Sequence, residues 1–321
     1  MKVKVKTPSR LHLGIIDVNG ELGRMFGSIG LSIKQPNAIV EFSESTNMVI
    51  EGEYQERVKN TAERILDHFR IDELCQIKVL QTIPSHVGLG SGTQLELAIA
   101  LGLSELFNFK APINHLSEIL GRGSVSGIGT AAFEMGGFIV DGGKSTDEKR
   151  KNNAPPIIVR HEFPEDWFMV VGLPRIKKGI SGKDECRAFE KLPSAPTELV
   201  GKMCRLLLMK MIPALLEHDI SRFGSAFTDF QIMTGETFSS VQGGKFAGGP
   251  VSETVKFLLD EGAYGAGQSS WGPTVYGLVE GRAEAKKLFE KVQNFLVSNF
   301  GGYAFYTQAD NSGAEVLVEE S

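Results

Sequence analysis

The sequence predicts an α+β protein built as two units. Three observations predict it. Strand and helix patterns mix along the chain with no internal repeat. A length of 321 residues suits two cores of about 150 residues each. Within the first half, a glycine-rich turn joins a strand directly to an apolar helix pattern.

The elements follow in order. "MKVKVK" alternates charge and valine and reads as a strand. "TPSRLHLGIIDVNGELGRMFGSIGLSI" is a further extended stretch, broken at its glycines, and "NAIVEF" and "MVIEG" alternate as shorter strands. Val58, Ala62, Ile65, Leu66 and Phe69 recur at helical spacing. "CQIKVLQTIP" then delivers the chain to the glycine turn. Helices are expected from about Gly92 to Phe107 and from about Pro112 to Leu120. The stretch 142–156 is polar and closes on two prolines, so it reads as a surface loop near a boundary. We place that boundary between 1–160 and 161–321. The second unit opens on the apolar strand "WFMVVGLP" and a basic loop, "PRIKKGISGKD". A long helix from about Pro196 to Leu216 follows, with a break expected at Pro213. Further helices, a glycine loop, "PTVYGLVE", a helix over 282–298 and "YAFYTQ" complete an α+β layer.

Composition narrows the function. The chain is 41% hydrophobic and 23% charged, with a formal net charge of −5, which does not favour a nucleic-acid partner. No apolar run reaches the ~20 residues of a membrane span, so no membrane partner is expected. The N-terminus lacks the apolar core of a signal peptide. Cys75, Cys186 and Cys204 are too scattered for a metal set or a disulfide framework, which fits packing roles and a cytoplasmic location.

The chemistry-bearing stretch is "PSHVGLGSGTQLELAIALGLSELF". Gly88, Gly90 and Gly92 let a backbone reach positive φ and come close to a bulky anion. The helix that follows offers unpaired N–H groups and a positive dipole end. Ser91 and Thr93 can cap that helix or turn a hydroxyl to the anion. A strand-to-helix turn with no ligand has the same glycines, and the loop matches neither a Walker A nor a G-x-G-x-x-G pattern.

The surroundings carry more information. "TPSRLHLG", "IPSHVGLGSGT" and "GAYGAGQSSWGPTVYGLV" resemble, in order, the three motifs of the GHMP kinase superfamily. The resemblance implies a ribosomal protein S5 domain 2-like N-terminal domain and a ferredoxin-like C-terminal domain, with an anion site between them. Many superfamily kinases carry a catalytic aspartate downstream, where this chain has Gly129. The strings "SRLHLGIIDVNGELGR" and "GRGSVSGIGTAAFEMGGFIVDGG" resemble instead a non-kinase branch, the β-ribofuranosylaminobenzene 5′-phosphate synthase family of methanopterin biosynthesis. That resemblance implies a phosphoribosyltransferase using 5-phosphoribosyl 1-diphosphate and a para-substituted benzoate (4-aminobenzoate or 4-hydroxybenzoate), with loss of CO2 and diphosphate. An ATP-dependent small-molecule kinase is the alternative. A homodimer is expected from family resemblance alone.

On that reading, Arg10, Arg24 and Arg122 are candidates to hold phosphate or carboxylate. Asp17 would face the developing positive charge at ribose C1 or ligate Mg2+, although it also stands just before the Asn19-Gly20 turn signal. Mg2+ or another divalent cation is expected, with Ser91 and Glu118 as ligands by position; Glu118 stands eleven residues before Gly129. A helix-surface role explains Glu118 equally. Lys245, Gln268, Ser269, Ser270 and Trp271 would form the acceptor slot. His12 and His86 read as packing or hydrogen-bonding residues.

Overall fold

The computed structural model describes residues 1–148, 150, 153–176 and 192–319. It opens on two long antiparallel strands, β1 (Lys2–Asp17) and β2 (Arg24–Glu44). The expected break occurs across Gly20 and Gly23, whereas Gly14, Gly27 and Gly30 stay inside the strands. Register shifts at Thr7/Ser9 and His12/Gly14 let β1 bend while it stays in the ladder. β2 is long enough to serve two partners in turn. Its Ser28–Leu31 portion pairs with β5 (Phe138–Asp141), and its Ile39–Glu44 portion pairs with β4 (Cys75–Gln81). β3 (Val49–Glu51) runs parallel to β4, and β7 (Ile157–His161) extends the sheet beyond β5. The stretch 142–156 contains β6 (Lys144–Ser145), which pairs with Arg24 and Met25.

Helices α1 (Gln55–Phe69), α2 (Ser91–Leu106), α3 (Ile113–Ile119) and α4 (Ile128–Met135) belong to this layer. Val5, Val40 and Phe42 of the sheet share one core with Val58 and Ile65 of α1 and Leu97, Ile99 and Leu103 of α2. α2 is apolar almost all round because sheet and helices enclose it. Gly102 is what lets it seat against the sheet, since a Cβ there would stand 2.1 Å from the Phe42 ring.

The second layer is a four-stranded antiparallel sheet in the order β11 (Gly302–Gln308), β8 (Trp167–Pro174), β10 (Val275–Glu280), β9 (Gly265–Gln268). With its intervening helices, this is the βαββαβ order of a ferredoxin-like unit. β8 is buried on both faces, which explains its unbroken apolar run. Trp167, Met169 and Val171 join Leu11, Ile29 and Leu31 of the first layer, while Phe168 and Val170 turn to α8 (Pro250–Asp260) and α9 (Arg282–Asn299). The two layers thus share a core.

The helix expected over 196–216 is present as α5 (Thr197–Leu206), a π turn (Leu207–Met211) and α6 (Ile212–Leu216). The irregularity precedes Pro213, which sits in the first turn of α6, where its missing N–H costs nothing. α7 (Ile220–Gln242) is the longest helix among the described residues. The final strand, β12 (Glu315–Glu319), leaves the 161–321 half and pairs with β1 in the first sheet. Most of the basic loop, and Cys186, lie outside the described residues.

Candidate active site

A cavity of about 210 Å³ opens where β1, the start of α2, the loop before α4, α7 and the 268–271 turn meet. Its first wall grows from the glycine turn. Gly90 has φ +80 and opens α2 with no side-chain cap, and Thr93 of the first turn reaches the lining. Arg10 Nη1 donates to Gly88 O at 2.6 Å, and the Arg10 side chain packs against Gly90. Thr93 and Gly129 of the lining are packed together: a Cβ at Gly129 would sit 3.1 Å from Thr93 Cγ2. Arg122 completes the wall. Its Nε donates to Glu96 Oε2 at 2.7 Å and its Nη2 pairs with Glu96 Oε1. Arg57 Nη2 holds the same carboxylate at 2.8 Å, so Glu96 neutralises only one of two arginines.

Gly88 has a reason that the sequence did not reveal. A Cβ there would stand 2.4 Å from Ser269 O, and one at Gly272 would stand 2.1 Å from Val87 O. The glycines let the phosphate-type loop pack directly on the 269–272 turn of the second layer. Ser269 fastens that contact: its hydroxyl donates to Gly88 O at 2.6 Å and accepts from His12 N at 2.9 Å. Ser269 is therefore a loop tie; Ser270 and Trp271 reach the cavity.

The opposite wall is aromatic. Trp271 meets Phe238 of α7 edge-to-face at 4.9 Å, and both pack with Ile15; Val125 joins the same cluster. Gln231, Thr234 and Gln242 of α7 add polar edges, as do Lys245 and Gln268. Lys245 pairs with Glu236 at 3.0 Å. The Gln268 amide is engaged by the fold, accepting from Ala247 N at 2.8 Å and donating to Ser270 O at 2.9 Å. α7 was not assigned to the site from sequence, because Phe238, Gln242 and Gln231 lie in an ordinary amphipathic pattern.

Of the expected site residues, Asp17, Arg24, Gly88, Gly90, Ser91, Gly92, Glu118 and Ser269 stand outside the lining. Asp17 Oδ1 accepts from Asn19 N at 2.7 Å and Gly20 N at 3.2 Å, the turn role that was its alternative. Arg24 donates from Nε to Gly142 O and from Nη2 to Gly143 O, each at 2.6 Å. Glu118 is exposed on α3. Ser91 begins α2 but is not among the lining residues. The Mg2+ set expected from sequence is thus not assembled. Among the described residues lining the cavity there is no aspartate or glutamate, and no group of three or more His, Cys, Asp and Glu suited to a metal occurs among the described residues. These residues do not fit a protein-held Mg2+, and no step is assigned to one.

A carboxylate that sequence reasoning missed lies just behind the lining. Asp141, fully buried at the end of β5, accepts from Ser28 N at 3.2 Å and Gly143 N at 2.9 Å through Oδ1. Oδ2 takes Ser126 Oγ at 3.2 Å and Gly127 N at 2.9 Å. Burial raises its pKa despite the four donors. Asp141 fixes the loop whose Ser126 lines the cavity, and it also ties down the Gly142–Gly143 turn that Arg24 grips. An acid after an apolar strand and before two glycines, "FIVDGG", was the available signal. His12 lines the cavity and is buried; burial first and Arg10 second push its pKa down to about 3, so the ring is neutral.

The models for the GHMP kinases N terminal domain and for GHMP kinases C terminal match residues 56–137 and 211–298. The chain is 37% identical to a Beta-ribofuranosylphenol 5'-phosphate synthase of Methanothermobacter thermautotrophicus over 86% of this chain and 88% of that one. It is 35% identical to a protein of the same name from Archaeoglobus fulgidus, over 98% of this chain and 100% of the other. A crystal structure of homoserine kinase from Cytophaga hutchinsonii superposes with a TM-score of 0.70 at 18% identity, covering 98% of this chain and 97% of that one, which is a likeness of fold. No described helix is long and apolar enough to cross a membrane.

Proposed function

Because the chain belongs to the family of Beta-ribofuranosylphenol 5'-phosphate synthases, we propose that it transfers a phosphoribosyl group from 5-phosphoribosyl 1-diphosphate to a para-substituted benzoate, in methanopterin biosynthesis. The relatives' name favours 4-hydroxybenzoate over 4-aminobenzoate as acceptor. One observation carries this reading over a kinase: the cavity joins Arg10, Arg122 and Thr93 of the α2 first turn to an aromatic wall, and its described lining contains no carboxylate. Many kinases of this superfamily, though not all, place an aspartate there to take the proton of the attacking hydroxyl. Gly129, in the cavity wall, stands where that aspartate would be.

Arg10, Arg122 and the first N–H groups of α2 take the donor's phosphates and the charge that builds on diphosphate as it leaves. A divalent cation would come with the donor as part of that substrate and would supply charge neutralisation to the diphosphate. The acceptor ring lies along Phe238 and Trp271. Its carbon bearing the carboxylate attacks ribose C1 and the C1–O bond to diphosphate breaks. CO2 then departs, and the electron pair of its C–C bond returns to the ring. Asp17 and Arg24 act at one remove: Asp17 holds the turn before β2, and Arg24 holds the Gly142–Gly143 turn tied through Asp141 to the cavity loop. The homodimer remains a separate proposal, for light scattering to decide.

The test is to supply 5-phosphoribosyl 1-diphosphate, Mg2+ and carboxyl-labelled 4-hydroxybenzoate and to count CO2. Release that requires the donor supports the reading. No release, together with ATP-dependent phosphorylation of a small alcohol, would return the chain to the kinases.

A further inference from the structure

His12 lies where the two walls meet. The β1 residues that line the cavity are Arg10, His12, Gly14 and Ile15. Arg10 belongs to the glycine turn through Gly88, and Ile15 belongs to the aromatic cluster with Phe238 and Trp271. His12 sits between them. Its residue is 7% exposed, and its backbone N–H goes to Ser269 Oγ. Among the described residues, no hydrogen bond reaches either ring nitrogen. The ring borders the cavity, so water or a ligand there is what its nitrogens meet. The open space beside this ring is the cavity.

In the proposed reaction the acceptor carbon that attacks ribose C1 is the one carrying the carboxylate. That carboxylate must therefore lie where donor and acceptor meet, with the para substituent pointing away along the aromatic wall. We propose that a ring N–H of His12 donates a hydrogen bond to the acceptor's carboxylate and so selects a benzoate. This inference rests on the phosphoribosyl-transfer reading. A neutral donor suits the chemistry. A full cation in contact would stabilise the carboxylate and oppose its loss as CO2, whereas a neutral N–H orients it with a weaker hold. Burial and Arg10 keep the ring uncharged. No bond to His12 forms or breaks, and the C–C electron pair passes only to the ring.

The test compares Kd for 4-hydroxybenzoate and for phenol, which lacks the carboxylate, in the wild type, His12→Leu and His12→Gln. The ratio of phenol Kd to benzoate Kd should fall about tenfold in His12→Leu and stay within about threefold of wild type in His12→Gln, whose amide restores a neutral donor. A ratio unchanged in His12→Leu would overturn the proposal. So would an equal loss of both ligands, which marks a structural role. Should His12→Leu fail to fold, 15N-histidine spectra of the wild type decide: 4-hydroxybenzoate, and not phenol, should shift the His12 ring N–H, and no shift overturns the proposal. Absence of donor-dependent CO2 release from the wild type would count against the reaction, while the binding ratio judges His12 separately.

Discussion

The cavity's two halves hold negative charge in opposite ways. Beside the glycine turn, Glu96 is held by two arginines, Arg57 and Arg122. Behind the loop before α4, Asp141 meets no cation among the described residues and is held by three backbone N–H groups and a serine hydroxyl. The first arrangement leaves surplus positive charge at the cavity and suits binding an anion. The second leaves none and suits fixing a backbone. One buried acid tunes charge and the other fixes geometry.

Breaking the Asp141 arrangement should have the largest effect. Asp141→Ala leaves three buried N–H groups and the half-buried Ser126 hydroxyl without their acceptor and should cost on the order of 3 kcal/mol of stability, read as a lower midpoint in urea unfolding. Donor-dependent CO2 release should fall by about a hundredfold at temperatures where the variant still folds. Next comes the latch on the same turn. Arg24→Ala should slow turnover about tenfold, and Arg24→Lys should recover little, because one ammonium cannot span two carbonyls as the guanidinium does. Normal turnover in Arg24→Ala would show that the Gly142–Gly143 turn holds without it.

A third comparison sets His12 against pH. Its folded pKa of about 3 lies below the usual value of 6.5, so the unfolded chain binds the proton more readily. Its contribution to stability is complete above pH 6.5 and is lost as the pH falls toward about 3. Thermal midpoints measured across that window should decline, and His12→Gln should flatten part of the decline. The smallest effect belongs to Glu118→Ala. That side chain is exposed and away from the cavity, so activity and midpoint should stay within experimental scatter. A large loss would bring back the metal-ligand role expected from sequence.

Local signals carried much of this architecture. The strand–glycine–helix turn, α1, α2, α3 and the doubly buried β8 could be read from periodicity and turn residues, because each is decided within one short window. The motif resemblance supplied the layer order. The facing wall was illegible for a physical reason. Phe238, Gln242 and Gln231 reach the cavity only because α7 crosses β1 and β9, and a helix pattern does not reveal its tertiary neighbour. Asp17 read two ways because a carboxylate among apolar residues suits catalysis as well as a turn until its turn partners are visible. The same ambiguity hid Asp141, whose four donors come from three separate stretches of chain.

The central claim is that one cavity has a donor wall and an acceptor wall, and a pair of KM measurements addresses it most directly. KM for 5-phosphoribosyl 1-diphosphate and for 4-hydroxybenzoate would be determined in Arg10→Ala and Trp271→Ala. The account predicts a crossed result: Arg10→Ala raises the donor KM about tenfold or more with little change for the acceptor, and Trp271→Ala does the reverse. Equal changes in both constants for either variant would contradict the division of the cavity into two walls.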